Sequence, residues 1–290
     1  MKWKPVLAIS AAILFFCIFS CGCTSQPEIN TTSQTQAAGE DVAVSIEDTP
    51  VQYMDMTGDM TGNLTLAYRE FGVNNSKPLL LIEGFGQTMD GWNSTFLGIL
   101  SKDYHVYIYD HRDMGESSET EGNFTVYQLA DDAACLITGL GYDSMNIYGV
   151  SMGSTVSQQL LILHPDRINK AVLSSATYSP SIPETEKLHG LLKAASTDPD
   201  SSEGVVKEAI ANLEYPGNLN DLSSIQKDVM LITGTDDDLT PQSVAVEIAG
   251  KINGSWLVRF KGIPHAGSQY APVEYAKITN EFLEMNETPA

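Results

Sequence analysis

The chain has 290 residues, 42% of them hydrophobic and 18% charged: enough for one α/β domain with a modest insertion, and too apolar for a disordered chain. Its formal charge is −21, and about −23 without the two lysines of the leader, which argues against nucleic acid and other anionic polymers as partners. Cys17, Cys21 and Cys23 fall in the first 23 residues and Cys135 stands alone after them, so the domain has neither an internal disulfide nor a cysteine zinc site.

In chain order, Lys2 and Lys4 precede Val6–Cys23, a run free of charge. Residues 1–23 therefore read as an export signal, although the run is also near the lower length limit for a spanning anchor. It ends Ile18-Phe19-Ser20-Cys21-Gly22-Cys23, similar to a prokaryotic lipoprotein box with Cys21 or Cys23 as the lipidated residue. An ordinary secretory peptide and an uncleaved anchor are the other readings. Each places the domain outside the cytoplasm, tethered to the outer face of the membrane or secreted, because lysines favour the inner side. Asn-x-Ser/Thr triplets at Asn30, Asn63, Asn74, Asn93, Asn123, Asn253 and Asn286 agree with an exterior location. Residues 24–42 are polar and Thr/Ser/Gln-rich, a flexible tether.

The domain spans 43–290. VQYMDM and LTLAYREFG read as an antiparallel pair joined around Gly58 and Gly62. Continuous apolar runs at 78–84, 104–110, 144–150, 168–176, 228–234 and 255–262 suit strands covered on both faces. Helical patterns lie between them, near 92–101, 125–140, 152–164, 241–252 and 271–285. In the second, Val126, Leu129, Ala133, Leu136, Ile137 and Leu140 share one face behind a Thr125 cap, and Cys135 reads as a small buried hydrophobe. Strand–helix alternation predicts a mostly parallel sheet with helices on both sides. Residues 177–226 break the rhythm with an insertion carrying helical pieces near 184–196 and 203–213.

Gly149-Val150-Ser151-Met152-Gly153 sits at a strand–helix junction. A turn this sharp strains the serine, leaves no room for side chains two residues away, and puts the hydroxyl at a helix N-terminus. Ser151 is the candidate nucleophile; an ordinary serine in a tight turn is the alternative.

From about residue 64 to 285 the motifs and their order resemble the α/β-hydrolase superfamily, most nearly its carboxylesterase and proline-iminopeptidase-like members. LLLIEGFGQTMDGW resembles the oxyanion-hole strand-loop, with Glu83 in place of the usual His, and YIYDHRDMGESS resembles the Asp-x-Arg-Gly-x-Gly-x-Ser loop, with Asp113 where glycine is usual. The resemblance implies backbone oxyanion donors at Phe85 and Met152; Phe85 also reads as a hydrophobic loop anchor. FKGIPHAGSQY looks like the family's histidine loop, making His265 the base. His105 and His164 then read as structural, His189 as solvent-facing and His111 as a pocket-lining candidate. LITGTDDDLTP resembles the acid loop, giving Asp237 as the acid, with Asp238 and Asp236 as alternatives.

The resemblance makes 177–226 a small helical cap inserted late in the sheet, over the nucleophile. Its Glu184, Glu186, Glu203 and Glu208 read either as a solvated helix face or as receptors for a substrate amine. The implied activity is hydrolysis of a small or medium carboxylic ester or thioester through an acyl-enzyme on Ser151, with a small-molecule acyl substrate and no metal or organic cofactor. An aminopeptidase, lactonase or carbon–carbon bond hydrolase on the same triad, or a non-catalytic surface protein on the same fold, are the alternatives.

Overall fold

Apolar runs without alternation need cover on both faces, and the computed structural model, which describes residues 43–58 and 62–285, shows how it is supplied. The leader with Cys21 and Cys23, the tether, and the turn around residue 60 lie outside the described residues. Strands β1 (Gln52–Gly58), β2 (Gly62–Phe71), β3 (Pro78–Ile82), β4 (His105–Tyr109), β5 (Met145–Val150), β6 (Ile168–Ser174), β7 (Asp228–Gly234) and β8 (Trp256–Phe260) form one sheet in the order β1-β2-β4-β3-β5-β6-β7-β8. The β1–β2 and β2–β4 pairs are antiparallel and every other pair is parallel.

Alternate residues of each strand feed opposite layers. Leu80, Ile82, Ile147, Leu173 and Leu231 pack beneath α2 (Val126–Gly139), α3 (Met152–Leu163) and α6 (Gln242–Lys251). Leu79, Leu81, Tyr148, Val172 and Met230 pack beneath α1 (Ser94–Leu100) and α7 (Pro272–Glu284). Helix starts follow the capping chemistry of the sequence. The Asn93 side chain accepts from Thr95 N–H and Phe96 N–H, and Thr125 forms a reciprocal capping box with Gln128. Each such cap contributes about 1 kcal/mol. Cys135 on α2 is half-buried rather than fully enclosed, and burial pushes its thiol up, away from the reactive thiolate.

From β3 the chain steps to β4 on one side and then crosses to β5 on the other. The loops that follow β3 and β5 therefore leave the same sheet edge as neighbours, at a topological switch point. Ile82 is in register with Gly149, so the residues after each strand face one another. Between β6 and β7 stand α4 (Glu186–Ala195) and α5 (Glu203–Leu213). Leu188, Leu192 and Ala209 join them into a small cluster of their own, against which Phe85, Leu213 and Leu239 pack. No helix among the described residues is long and apolar enough to cross a membrane.

Candidate active site

The turn from β5 into α3 holds Ser151 at φ 54° and ψ −119°, a conformation that a serine adopts only when its surroundings enforce it. Gly149 and Gly153 make it feasible. A Cβ on the first would overlap the Gly153 carbonyl and the Ser157 hydroxyl, and one on the second would overlap the Ile82 carbonyl at the end of β3. The Ser151 N–H donates to the Ser174 carbonyl at 2.9 Å, tying the turn to β6. Met152 opens α3, so its N–H has no helical acceptor four residues back.

The loop after β8 carries His265. Its Nε2 is 2.9 Å from Ser151 Oγ, and its Nδ1 is 3.0 Å from both carboxylate oxygens of Asp237 in the loop after β7. The two loops are stitched together: Asp236 N–H donates to the Ile263 carbonyl at 3.1 Å, and Gly262 N–H to Thr235 Oγ1 at 2.8 Å. Ala266, in the left-handed region at φ 55°, donates its N–H to Ser175 Oγ, which fixes the imidazole from behind. Burial pushes the Asp237 carboxyl up, but the bond and charge of His265 and the two bonds from Thr240 outweigh it and hold the group below its ordinary value. Asp237 is therefore ionised at neutral pH. Asp236 and Asp238 are exposed, and Asp238 pairs with Lys187 at the surface.

Beside Ser151 runs the loop after β3; a Cβ added to Gly84 would lie 3.2 Å from that of the serine. Glu83 is buried, and its Oε2 accepts from Gly84 N–H at 2.9 Å. Burial pushes its carboxyl up to about 8 against the pull of that bond, with the negative charges of Glu208 and Asp110 adding to the rise. At neutral pH Glu83 is thus a neutral acid, a different group from the imidazole that commonly stands there.

The Asp-x-Arg loop proves to be scaffolding. Asp110 accepts from Met89 N–H and Glu116 N–H, and Arg112 grips Asp132 of α2 through two bonds, at 2.7 and 2.5 Å. Asp113 adopts φ 64°, which aspartate tolerates better than most side chains, and receives Lys207 and Thr120.

Of the other histidines, His105 bonds Glu70, and His164 caps the end of α3 and bonds Asp131. His111 lines no surface: it is 2% exposed, with Nδ1 3.0 Å from Glu208. His189 is half-buried, with Nδ1 enclosed rather than solvent-facing. Among the four cap glutamates, Glu184, Glu186 and Glu203 are exposed, whereas Glu208 is fully buried, so it belongs to no solvated face.

Sequence reading missed Thr240, whose hydroxyl donates to Asp237 at 2.9 Å and lies 3.2 Å from His265 Nδ1. Its place three residues after an aspartate, where that carboxylate caps the following N–H groups, was the available signal. Among the described residues, no group of three His, Cys, Asp or Glu side chains is arranged to hold a metal.

The family model for the α/β hydrolase fold matches residues 77–214, from the start of β3 to the end of α5. A putative non-heme chloroperoxidase of Synechocystis sp. is 25% identical over 258 residues, covering 74% of this chain and 93% of that protein. Among solved structures, a thermophilic esterase from Thermogutta terrifontis matches with a TM-score of 0.71 at 21% identity, over 81% of this chain and 98% of its own. An enol-lactonase from Burkholderia xenovorans matches at 0.69 and 24% identity, over 81% and 100%. At such identities the structural likenesses speak for the fold. The sheet order, the family model over residues 77–214 and the likeness along the length of these solved structures agree on the α/β-hydrolase fold for this chain.

Proposed function

We propose that this protein is a serine hydrolase that cleaves a small or medium carboxylic ester or thioester through an acyl-enzyme on Ser151. The observation that carries this reading is the unbroken chain of contacts from Asp237 through His265 to Ser151, at 3.0 and 2.9 Å. An ionised Asp237 accepts a hydrogen bond from Nδ1–H, which fixes that tautomer, so Nε2 keeps its lone pair toward the serine hydroxyl. In the reading, His265 Nε2 takes the Ser151 hydroxyl proton as Oγ attacks the acyl carbon, and gives it to the leaving group as the carbon–oxygen or carbon–sulfur bond breaks. Water then attacks the acyl carbon, giving its proton to His265, which passes it to departing Ser151. The backbone N–H groups of Phe85 and Met152 receive the negative oxygen at each addition.

Residues 177–226 act as a cap in this reading. Their apolar cluster packs against Phe85 of the loop beside Ser151 and against Leu239, forming in this reading the wall for an acyl chain, and its small size suits short chains. The full burial of Glu208, committed to the loop after β3, weighs against an amine-reading peptidase. Cyclic esters are the second reading, supported by the likeness to the enol-lactonase along that protein's whole length; the same attack would open the ring. The N-terminal 23 residues would export the domain and tether it through a lipid on Cys21 or Cys23. The mass of the mature N-terminus recovered from membranes tests that part.

Ser151→Ala should lower turnover of p-nitrophenyl butyrate by about 10⁴-fold or more and abolish labelling by a fluorophosphonate probe. Near-wild-type turnover in that variant would end the proposal. Faster release from proline anilides than from short acyl esters would move the substrate from ester to peptide.

A further inference from the structure

Four consecutive backbone amides form the loop beside Ser151, and three of them are spoken for. Gly84 N–H donates to Glu83 Oε2, Gly86 N–H to Glu208 Oε2 at 2.7 Å, and Gln87 N–H to the Gly84 carbonyl. Only Phe85 N–H has no acceptor among the described residues. The bond to Glu208 is the one that comes from outside the loop, across 122 residues of sequence.

Glu208 is held on both sides. Its second oxygen lies 3.0 Å from His111 Nδ1, and both side chains are buried. The residue before it, Lys207, binds Asp113 and the Thr120 carbonyl, which pins the rotation of α5 about its axis. One turn later, on the same helix face, the Asn212 amide reaches the Met152 sulfur at 2.8 Å. One face of α5 thus touches both segments that carry the two proposed oxyanion donors.

We propose that Glu208 is a positioning residue for the oxyanion loop: by holding Gly86 N–H it fixes the peptide plane next to Phe85 and so aims the Phe85 N–H at the reacting oxygen. The physical reason is the softness of a short glycine-flanked turn. Gly86 sits at φ +71°, where little backbone energy opposes rotation, and the 2.7 Å bond to the buried Glu208 side chain supplies the missing restraint. The inference rests on the serine-hydrolase reading, since it assigns a role in that reaction.

The test separates reach from the carboxyl group. Glu208→Asp keeps the carboxyl but shortens the side chain by one methylene, withdrawing it from Gly86. Glu208→Gln keeps the reach, its carbonyl oxygen accepting from Gly86 N–H while its amide faces His111. Kinetics on p-nitrophenyl butyrate are taken per active site titrated with the fluorophosphonate, so that loss of folded enzyme does not enter. The aspartate variant should lose about 30-fold in kcat with KM within threefold, and phenylboronic acid, which mimics the tetrahedral adduct, should inhibit it correspondingly less. The glutamine variant should recover most of the turnover. A fully active aspartate variant, a loss confined to KM, or a glutamine variant as impaired as the aspartate one would overturn the inference. Turnover surviving in Ser151→Ala would instead overturn the reading beneath it.

Discussion

The two inserted helices lie side by side and are held to the domain by different chemistries. α4 docks through an apolar stripe, Leu188 and Leu192, leaves Leu191 49% exposed, and adds one ion pair, Lys187–Asp238, with both side chains 66% exposed. α5 buries Lys207, Glu208 and Asn212, each bonded to a different part of the domain. Apolar contact is non-directional and tolerates sliding, whereas buried ionic hydrogen bonds have one geometry and a large penalty for leaving it. The lesson is a division of labour. In the proposed enzyme α5 is the fixed wall that shapes the oxyanion loop, and α4 is the wall that can adjust to a substrate.

If that division holds, the α5 side responds to pH and to charge removal while the α4 side ignores both. The largest effect should come from Glu83, which faces Glu208 and Asp110. Its folded-state carboxyl titrates near 8 and its unfolded one near the ordinary value, so the folded chain holds the extra proton between them. The stability this brings is complete below the unfolded value and is lost as pH rises toward 8. Urea unfolding should show wild type losing about 1.4 kcal/mol per pH unit relative to Glu83→Gln, or roughly 4 kcal/mol from pH 5 to pH 8. Parallel curves for the two proteins would remove the buried acid from the account.

Next in size, Lys207→Met leaves Asp113 buried without its cation and should cost about 3 kcal/mol in the same assay. Smallest, Lys187→Met on α4 should change stability by less than about 0.5 kcal/mol, because both charges of its pair stand in water. Equal costs for the two lysines would erase the distinction between the helices.

Much of the architecture was legible in the sequence because it is written in local signals. The apolar runs from 78 to 84 and 144 to 150 became β3 and β5, Thr125 announced the start of α2, and the glycines around Ser151 marked the sharp turn. Ser151 and His265 were each readable from their own loops, and the acid was narrowed to Asp236, Asp237 and Asp238. What could not be read was which polar side chain would be buried. Glu208 looks like Glu203 on a helical wheel of mixed charge, yet one is sealed and the other exposed. The burial of His111 escaped for the same reason: its partner lies 97 residues away.

The sequence by itself determined the order of elements, the strained serine and the loops bearing its two partners, since periodicity, caps and glycine sterics act within a few residues. Tertiary structure alone decided that α5 grips the loop after β3, that Glu83 stays protonated, and that Asp237 rather than either neighbour meets His265. Those outcomes depend on burial and on distances between segments far apart in the chain, and charge behaves differently in water and in a packed interior.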